Sequence, residues 1–225
     1  MVSRVMQSLY RLGSAFGTFV LDALFPLTCV SCSRVGASLC ETCEIALLAD
    51  AWPPQDIPGV YSCFAYAHPG IRKLLIRYKY NGELAAGEAL VRLFQKRLTQ
   101  AWFLSDISLA ACAIPVPLSR RKLLERGFNQ AEVLGRVAAQ VLVLPLEDRL
   151  QRSVDVGQLA GKTDVERKEL MRDTPFVATG VWPEMVLLID DVYTTGATAK
   201  AAIEALERAG VAKVLLLTYA RGAAH

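Results

Sequence analysis

The feature that most constrains the fold of this chain is an apolar stretch that runs directly into two acidic residues and a small polar loop. Val186–Ile189 are consecutive apolar residues, and Asp190 and Asp191 follow them without a break. The segment 194–198 (Thr-Thr-Gly-Ala-Thr) then leads into a helical pattern. A buried strand, a short turn and a helix are typical of α/β proteins with a parallel sheet, whose ligands bind beyond the carboxyl ends of the strands.

The chain alternates between strand and helix patterns along most of its length. We predict strands at residues 60–67, 109–116, 141–144, 185–189 and 211–218, and helices at 70–80, 84–103, 129–140 and 197–209. This order predicts an α/β fold with a parallel sheet covered on both faces. A Pro- and Gly-rich segment at 51–59 predicts a linker between an N-terminal module (1–50) and a larger domain (60–225).

The acidic pair and the loop after it suit a phosphorylated sugar. Carboxylates such as those of Asp190 and Asp191 accept hydrogen bonds from the vicinal hydroxyls of a ribose. Backbone N–H groups at the start of a helix bind phosphate, and a glycine lets the backbone approach it closely. The predicted phosphate-binding residues are Thr194, Thr195, Gly196, Ala197 and Thr198. The alternative, an ordinary capped turn, explains one Asp or Thr but not two acids beside three threonines.

A basic segment precedes this motif in the chain. Residues 72–126 hold 11 basic and 4 acidic side chains, although the whole chain carries a net charge of only +3. Four of the cations follow a predicted strand and would suit a diphosphate, since guanidinium groups bind phosphate in a bidentate way: Arg120, Arg121, Lys122 and Arg126. A solvated basic surface is the alternative interpretation.

Four cysteines lie within fifteen residues, in the spacing Cys29-x2-Cys32-x7-Cys40-x2-Cys43. Two CxxC turns can direct four thiolates at one tetrahedral Zn²⁺, which would be structural because no open coordination position is left. Two disulfides or a redox-active CxxC are the alternatives, and disulfides would require an oxidising compartment. The two remaining cysteines lie in apolar runs and are predicted to be buried: Cys63 and Cys112.

Other functions are excluded or disfavoured by composition. The only histidines are His68 and the terminal His225, so a Ser-His-Asp triad or a multi-histidine metal site is not expected. Apolar residues at helical spacing before Cys29 predict an amphipathic helix, with a membrane-surface helix as the alternative. We expect no transmembrane segment, because no stretch has 18 uninterrupted apolar residues.

The segment 186–198 resembles the phosphoribosyl diphosphate (PRPP) signature of type I phosphoribosyltransferases. Taken with the double CxxC, the segment 79–82 (Lys-Tyr-Asn-Gly), "PVPL" at 115–118 and "ERGFNQA" at 125–131, it resembles the ComF/GntX family of competence-associated proteins. The resemblance implies a zinc-ribbon-like module followed by a type I phosphoribosyltransferase domain. It also implies that Asp190 and Asp191 contact the ribose of PRPP, with Mg²⁺ nearby.

The resemblance further implies a cytoplasmic protein linked to DNA uptake in natural transformation. Two activities are open: phosphoribosyl transfer, or binding without catalysis of a nucleotide or single-stranded DNA, with docking of a helicase or a recombination mediator. Residues 149–172 would form a lid over the site, but they lack the Asn that the family pattern carries shortly before a Phe. The lid residues that we expect to contact the ligand are Arg152, Gln158, Lys162 and Arg167.

Overall fold

The computed structural model describes residues 26–152 and 175–222, and all statements about structure refer to these ranges. The strands are β1 (Val60–Ala65), β2 (Ala113–Pro115), β3 (Leu150–Arg152), β4 (Phe176–Ala178), β5 (Met185–Tyr193) and β6 (Lys213–Arg221). The helices are α1 (Glu41–Ala49), α2 (Pro69–Asn81), α3 (Leu84–Thr99), α4 (Leu104–Ile107), α5 (Arg120–Arg126), α6 (Gln130–Leu142) and α7 (Ala197–Arg208).

Four of the strands form one parallel sheet in the order β1-β6-β5-β2. β5 and β6 are the central strands, and most of their apolar residues are buried. Alternate residues of β5 enter two different cores. Leu187 and Ile189 pack in the core beneath α2, α3 and α6, whereas Val186 and Leu188 pack in the core beneath α7. The prediction of an α/β fold with a parallel sheet covered on both faces is confirmed.

The element boundaries differ from the predictions where tertiary contacts decide them. The predicted strand at 141–144 is wrong, because α6 continues to Leu142 and ends at Val143 in a left-handed conformation (φ 55°). The predicted strand at 109–116 shortens to β2. The antiparallel pair of β3 and β4 was not predicted, since each strand has only three residues.

The cysteine-containing region packs directly on α2 and α3. The guanidinium of Arg77 donates hydrogen bonds to the carbonyl oxygen (2.5 Å) and the hydroxyl (3.1 Å) of Thr28. Ser38 donates a hydrogen bond to Glu83, the N-cap of α3. Glu44 of α1 is buried and pairs with Lys96 at 2.7 Å. These contacts join 26–50 to the larger α/β unit; the division into module, linker and domain stays a prediction. The predicted amphipathic helix lies outside the described residues.

Arg97 fixes the segment that connects the two regions. This residue of α3 is 2% exposed and donates hydrogen bonds to the carbonyl oxygens of Leu48 (2.6 Å), Asp50 (2.8 Å) and Cys63 (3.2 Å). Its guanidinium also lies 3.9 Å from the ring centroid of Trp52. One cation therefore satisfies the carbonyl at the end of α1, a carbonyl of the connecting segment and one in β1.

We predict that Arg97→Lys destabilises the protein, although it keeps the charge. A lysine has no planar fork and cannot reach three carbonyl groups at once, so buried acceptors lose their donors. The free energy of unfolding should fall by about 2–4 kcal/mol, measured by urea denaturation. The matched control is Arg136→Lys on the exposed face of α6, which should change stability by less than about 0.5 kcal/mol. Equal effects of the two substitutions would contradict this account of Arg97.

Candidate functional site

The acidic pair lies at the carboxyl end of β5, in the middle of the sheet. Asp190 pairs in register with Thr218 of β6, and the strand continues to Tyr193 before the threonine loop begins. The first part of β5 is buried, whereas its last four residues are only partly covered. The strand therefore carries two carboxylates from the core to the edge where ligands bind in parallel sheets.

The loop after β5 forms a concave surface next to the acidic pair. Gly196 is the N-cap of α7 and has a left-handed backbone (φ 76°). A Cβ at this position would lie 2.5 Å from the hydroxyl of Tyr193, so only glycine fits without a shift. With Asp190 and Tyr193, the loop residues line a shallow concavity. The structure thus brings one acidic residue and all five predicted phosphate-binding residues to one surface.

The two carboxyl groups have different surroundings. The Oδ1 of Asp190 accepts a hydrogen bond from the backbone N–H of Asp191 at 2.8 Å. Desolvation, and to a smaller extent the charge of Asp191, raises the pKa of Asp190 to about 7. Asp191 instead forms an ion pair with Lys79, with 2.5 Å between Nζ and Oδ2.

Lys79 is a site residue that the sequence reasoning did not select. It lies in the last turn of α2, which Gly82 ends in a left-handed conformation. In the sequence it stands within the motif segment 79–82 and the basic stretch 72–126. The sequence feature that could have identified Lys79 is its position between Tyr78 and Tyr80, next to a predicted helix end.

The end of α2, around residue 79, packs against the segment around residue 126, next to Asp191. The rings of Tyr78 and Phe128 lie 4.6 Å apart, and the guanidinium of Arg126 lies 5.2 Å from the ring centroid of Tyr80. Arg126 also donates a hydrogen bond to the side-chain oxygen of Gln130, which is buried. Two motifs far apart in sequence thus meet beside Asp191 and are held together by aromatic and cation–π contacts.

Arg120, Arg121 and Lys122 have a different setting from the one expected. The sequence suggested a basic loop at the end of a strand, but these residues form the first turn of α5, and Ser119 caps it. No residue of α5 is buried. Among residues 26–152 and 175–222, no contact joins the three cations to the acidic pair or the threonine loop. Asn129, in contrast, caps α6, where its Oδ1 accepts a hydrogen bond from the backbone N–H of Ala131 at 3.1 Å.

One expected lid residue lies within the described ranges. Arg152 ends β3, donates a hydrogen bond to the carbonyl oxygen of Pro117 at 3.2 Å, and lies 4.6 Å from the ring of Phe176. Its positive charge is also one of those that lower the pKa of Asp190, against the larger effect of desolvation. Gln158, Lys162 and Arg167 lie outside the described residues.

The four clustered cysteines can hold a metal ion. Their Sγ atoms all lie within 4.8 Å of one another, and Cys32 and Cys40 approach to 3.6 Å. Tetrahedral zinc with bonds of about 2.3 Å requires sulfur atoms about 3.8 Å apart, so the cluster fits the ion. All six cysteines are described and are free thiols, and Cys63 and Cys112 are buried as predicted.

Backbone donors favour the ionised form of one ligand. Burial alone would raise the pKa of Cys29, but hydrogen bonds from the backbone of Cys32, Cys40 and Ser31 outweigh it and lower the pKa to about 6. The turn at 29–33 places these donors: the N–H of Ser33 bonds to the carbonyl oxygen of Cys29 at 2.9 Å. A thiolate at neutral pH is the form that binds zinc.

The acidic pair suits Mg²⁺ less well. Magnesium takes one or two carboxylates together with phosphate oxygens and waters. Here Lys79 occupies Oδ2 of Asp191, and Oδ1 of Asp190 already accepts a backbone hydrogen bond. A carboxyl group with a pKa near 7 is also partly protonated at neutral pH. The pair by itself therefore fits a resident magnesium ion poorly.

The fold and the site define a class of protein. A mixed α/β unit with a parallel four-stranded sheet, a strand ending in two acids and an N-terminal four-cysteine cluster is consistent with a type I phosphoribosyltransferase-like fold. The described residues contain no helix that is both long and apolar enough to cross a membrane.

Comparison with known proteins identifies homologous competence proteins. The chain is 26% identical to competence protein ComFC of Streptococcus pneumoniae over 196 residues, covering 86% of this chain and 80% of that protein. It is 29% identical to ComFC of Bacillus subtilis over 191 residues (82% and 73%) and 27% identical to competence protein F of Haemophilus influenzae over 152 residues (66% of each). These relatives confirm the resemblance to the ComF/GntX family. No protein-family model matches the chain.

We predict that Cys32→Ser removes the metal from the four-cysteine cluster. Serine is a poor zinc ligand, and three thiolates leave the shell incomplete. Purified protein should fall from about one zinc ion per chain to a small fraction of that, and the melting temperature should drop. Elemental analysis by plasma mass spectrometry measures the loss. Cys112→Ala, outside the cluster, should keep its zinc, and full zinc content in Cys32→Ser would refute the assignment.

We also predict that Asp190→Asn stabilises the protein at high pH. The folded-state pKa of about 7 lies above the ordinary value of 3.8, so stability falls as the pH rises from about 4 to 7 and the proton is lost. Asparagine keeps the Oδ1 acceptor for Asp191 without the charge. Because Asp190 is partly solvated, we expect a fraction of the full penalty, about 1 kcal/mol or roughly 2–4 °C in Tm at pH 8.

Melting curves at pH 5 and pH 8 measure this effect. The advantage of Asp190→Asn should be clearly smaller at pH 5, where the folded wild-type protein already carries the proton. Asp148→Asn, at an exposed position, should show no such pH dependence. An identical shift for Asp190→Asn at both pH values would contradict a raised pKa.

Proposed function

We propose that this protein binds PRPP or a related ribose 5-phosphate compound and acts in DNA uptake during natural transformation. The observation that carries the proposal is the continuity of β5: two carboxylates and a glycine-containing threonine loop follow each other at the carboxyl edge of a parallel sheet. The names of the homologous competence proteins support the cellular role. Such a role places the protein in the cytoplasm.

The parts of the ligand match different parts of the site. Asp190 and Asp191 would accept hydrogen bonds from the ribose hydroxyls, and the 5-phosphate would bind the backbone and hydroxyl groups of residues 194–198. Cations of α5 and of the proposed lid would bind the diphosphate. The proposed diphosphate and lid residues are Arg120, Arg121, Lys122, Arg126, Arg152, Gln158, Lys162 and Arg167.

The two metals would have different roles. Zinc would stabilise the cysteine-containing region, which packs on α2 and α3 and so supports the site at a distance. Magnesium would enter with the diphosphate of PRPP, since the acidic pair of the free protein fits it poorly.

Phosphoribosyl transfer would be one use of this site. The bond between C1 of the ribose and the diphosphate oxygen would break, the bonding electrons would leave with diphosphate, and a nucleophile would form the new bond to C1. Cations near the diphosphate would stabilise the negative charge of the leaving group, and the carboxylate of Asp191 would favour positive charge developing on the sugar.

A binding function without catalysis is the second candidate, and α5 favours it. This helix has no buried residue and exposes Leu123 and Leu124 beside its cations. Apolar and basic groups on one exposed helix suit single-stranded DNA or a partner such as a helicase or a recombination mediator. DNA binding through these cations should weaken steeply as salt increases, whereas turnover of PRPP should not.

We predict that the protein binds PRPP and that Asp191→Asn lowers the affinity at least about tenfold, because the ribose loses an ionised acceptor. Titration calorimetry with and without Mg²⁺ measures the affinity, and Asp148→Asn is the control for the same change at an exposed position. A diphosphate-release assay with candidate acceptors then separates an enzyme from a binding protein. Unchanged affinity in Asp191→Asn would refute the ribose assignment.

The phosphate half of the site has its own test. Gly196→Ala introduces a Cβ where the Tyr193 hydroxyl lies, and it should reduce PRPP affinity at least about tenfold by displacing the loop. Gly210→Ala is the matched control, since Gly210 also has a positive φ (96°) but no atom within 4 Å of the new methyl group. Similar affinities for the two variants would remove the phosphate loop from the proposal.

A further inference from the structure

We propose that Lys79 is the built-in cation of the ribose site, so that the ribose 5-phosphate part of the ligand binds without a divalent metal. The inference rests on the proposed function and deepens it. It assigns a ligand-positioning role to a residue outside both the acidic pair and the threonine loop. It also separates the metal requirement of the sugar phosphate from that of the diphosphate.

The ion pair between Lys79 and Asp191 is well shielded from solvent. The Nζ and Oδ2 atoms lie 2.5 Å apart, and the two side chains are only 12% and 17% exposed. An ion pair at this degree of burial is screened far less than one on the surface. Lys79 is therefore a fixed part of the electrostatics of the acidic pair.

The position of Lys79 is fixed by its neighbours on both sides. Tyr78 packs on Phe128 and against Gly87, where a Cβ would collide with its ring. Tyr80 lies under the guanidinium of Arg126. Earlier in the same helix, Arg77 is bound to Thr28, next to the first cysteine of the cluster. The last turns of α2 are thus packed against three other segments. This packing holds the backbone of Lys79 in the position from which its side chain reaches Asp191.

The ion pair leaves a specific set of acceptors for a ligand. Of the four carboxylate oxygens, Oδ1 of Asp190 accepts a backbone hydrogen bond and Oδ2 of Asp191 contacts Lys79. Among the described residues, Oδ2 of Asp190 and Oδ1 of Asp191 make no hydrogen bond or ion pair. Each carboxyl group therefore keeps one oxygen that is open to a ligand, Asp190 on the side of the threonine loop and Asp191 on the side of Tyr78 and Gln130.

The charge of Lys79 also determines whether the site requires a divalent cation to bind a phosphate. Without it, the charge of Asp191 would be unmatched and would repel a phosphate dianion bound at the neighbouring loop, and a divalent cation would be required to offset it. With it, one carboxylate is neutralised by the protein itself. Ribose 5-phosphate has no diphosphate group to coordinate a metal ion. Its affinity therefore measures the contribution of the Lys79 charge separately from that of a diphosphate-bound metal.

The experiment compares wild type, Lys79→Met and Lys73→Met by calorimetry with ribose 5-phosphate, in EDTA and in Mg²⁺. Lys73 is an exposed lysine of the same helix, so its substitution controls for the loss of one charge. Wild type and Lys73→Met should bind equally well in both buffers. Lys79→Met should bind about tenfold or more weakly in EDTA, and Mg²⁺ should restore much of the loss. A purely structural role would not give this rescue by metal.

Several outcomes would overturn the proposal. Equal affinities of Lys79→Met and Lys73→Met in EDTA, no rescue of Lys79→Met by Mg²⁺, or loss of wild-type binding in EDTA would reject Lys79 as the built-in cation while the proposed function stands. Failure of wild type to bind both ribose 5-phosphate and PRPP in every buffer would reject both. If Lys79→Met does not fold, Lys79→Arg keeps the charge and should bind in EDTA; a strict Mg²⁺ requirement in that variant would also reject the proposal.

Discussion

The parallel pairing of β5 between β2 and β6 is the constraint on which the rest of the structure depends. Parallel strands end at one edge, so the residues that follow β2, β5 and β6 come together although they are far apart in sequence. The pairing is stable because β5 is apolar on both faces and each face is covered by helices. The polar residues begin where this cover ends, and there the chain can expose two acids and a loop of threonines.

The acidic pair at this edge is costly for the folded protein, and its surroundings offset the cost in different ways. Asp190 responds to desolvation and to its neighbour by holding its proton up to a pH of about 7. Asp191 is matched by Lys79, which arrives from a helix on another part of the chain. A site in which one carboxyl titrates near neutral pH and the other is ion-paired is typical of a functional surface.

The cysteine-containing region and the proposed ligand site are connected through α2. Arg77, Glu83 and Arg97 of the larger unit form hydrogen bonds with the cysteine-containing region and the segment that follows it. The carboxyl end of α2 places Lys79 beside Asp191. A structural zinc ion would thus stabilise the packing of α2 as well as its own two turns. This arrangement gives a physical reason for a four-cysteine cluster to accompany a phosphoribosyltransferase-like fold in one chain.

The sequence by itself determined the fold class, the cysteine cluster and the small polar loop after β5, because each depends on local signals. Apolar runs, CxxC spacing and a glycine among threonines depend on near neighbours in the chain. Only the tertiary structure decided where α6 ends, that Arg120–Lys122 lie on a short exposed helix, and that Lys79 meets Asp191. These depend on contacts between residues far apart in sequence, and the free energy of such contacts is not encoded in any single segment.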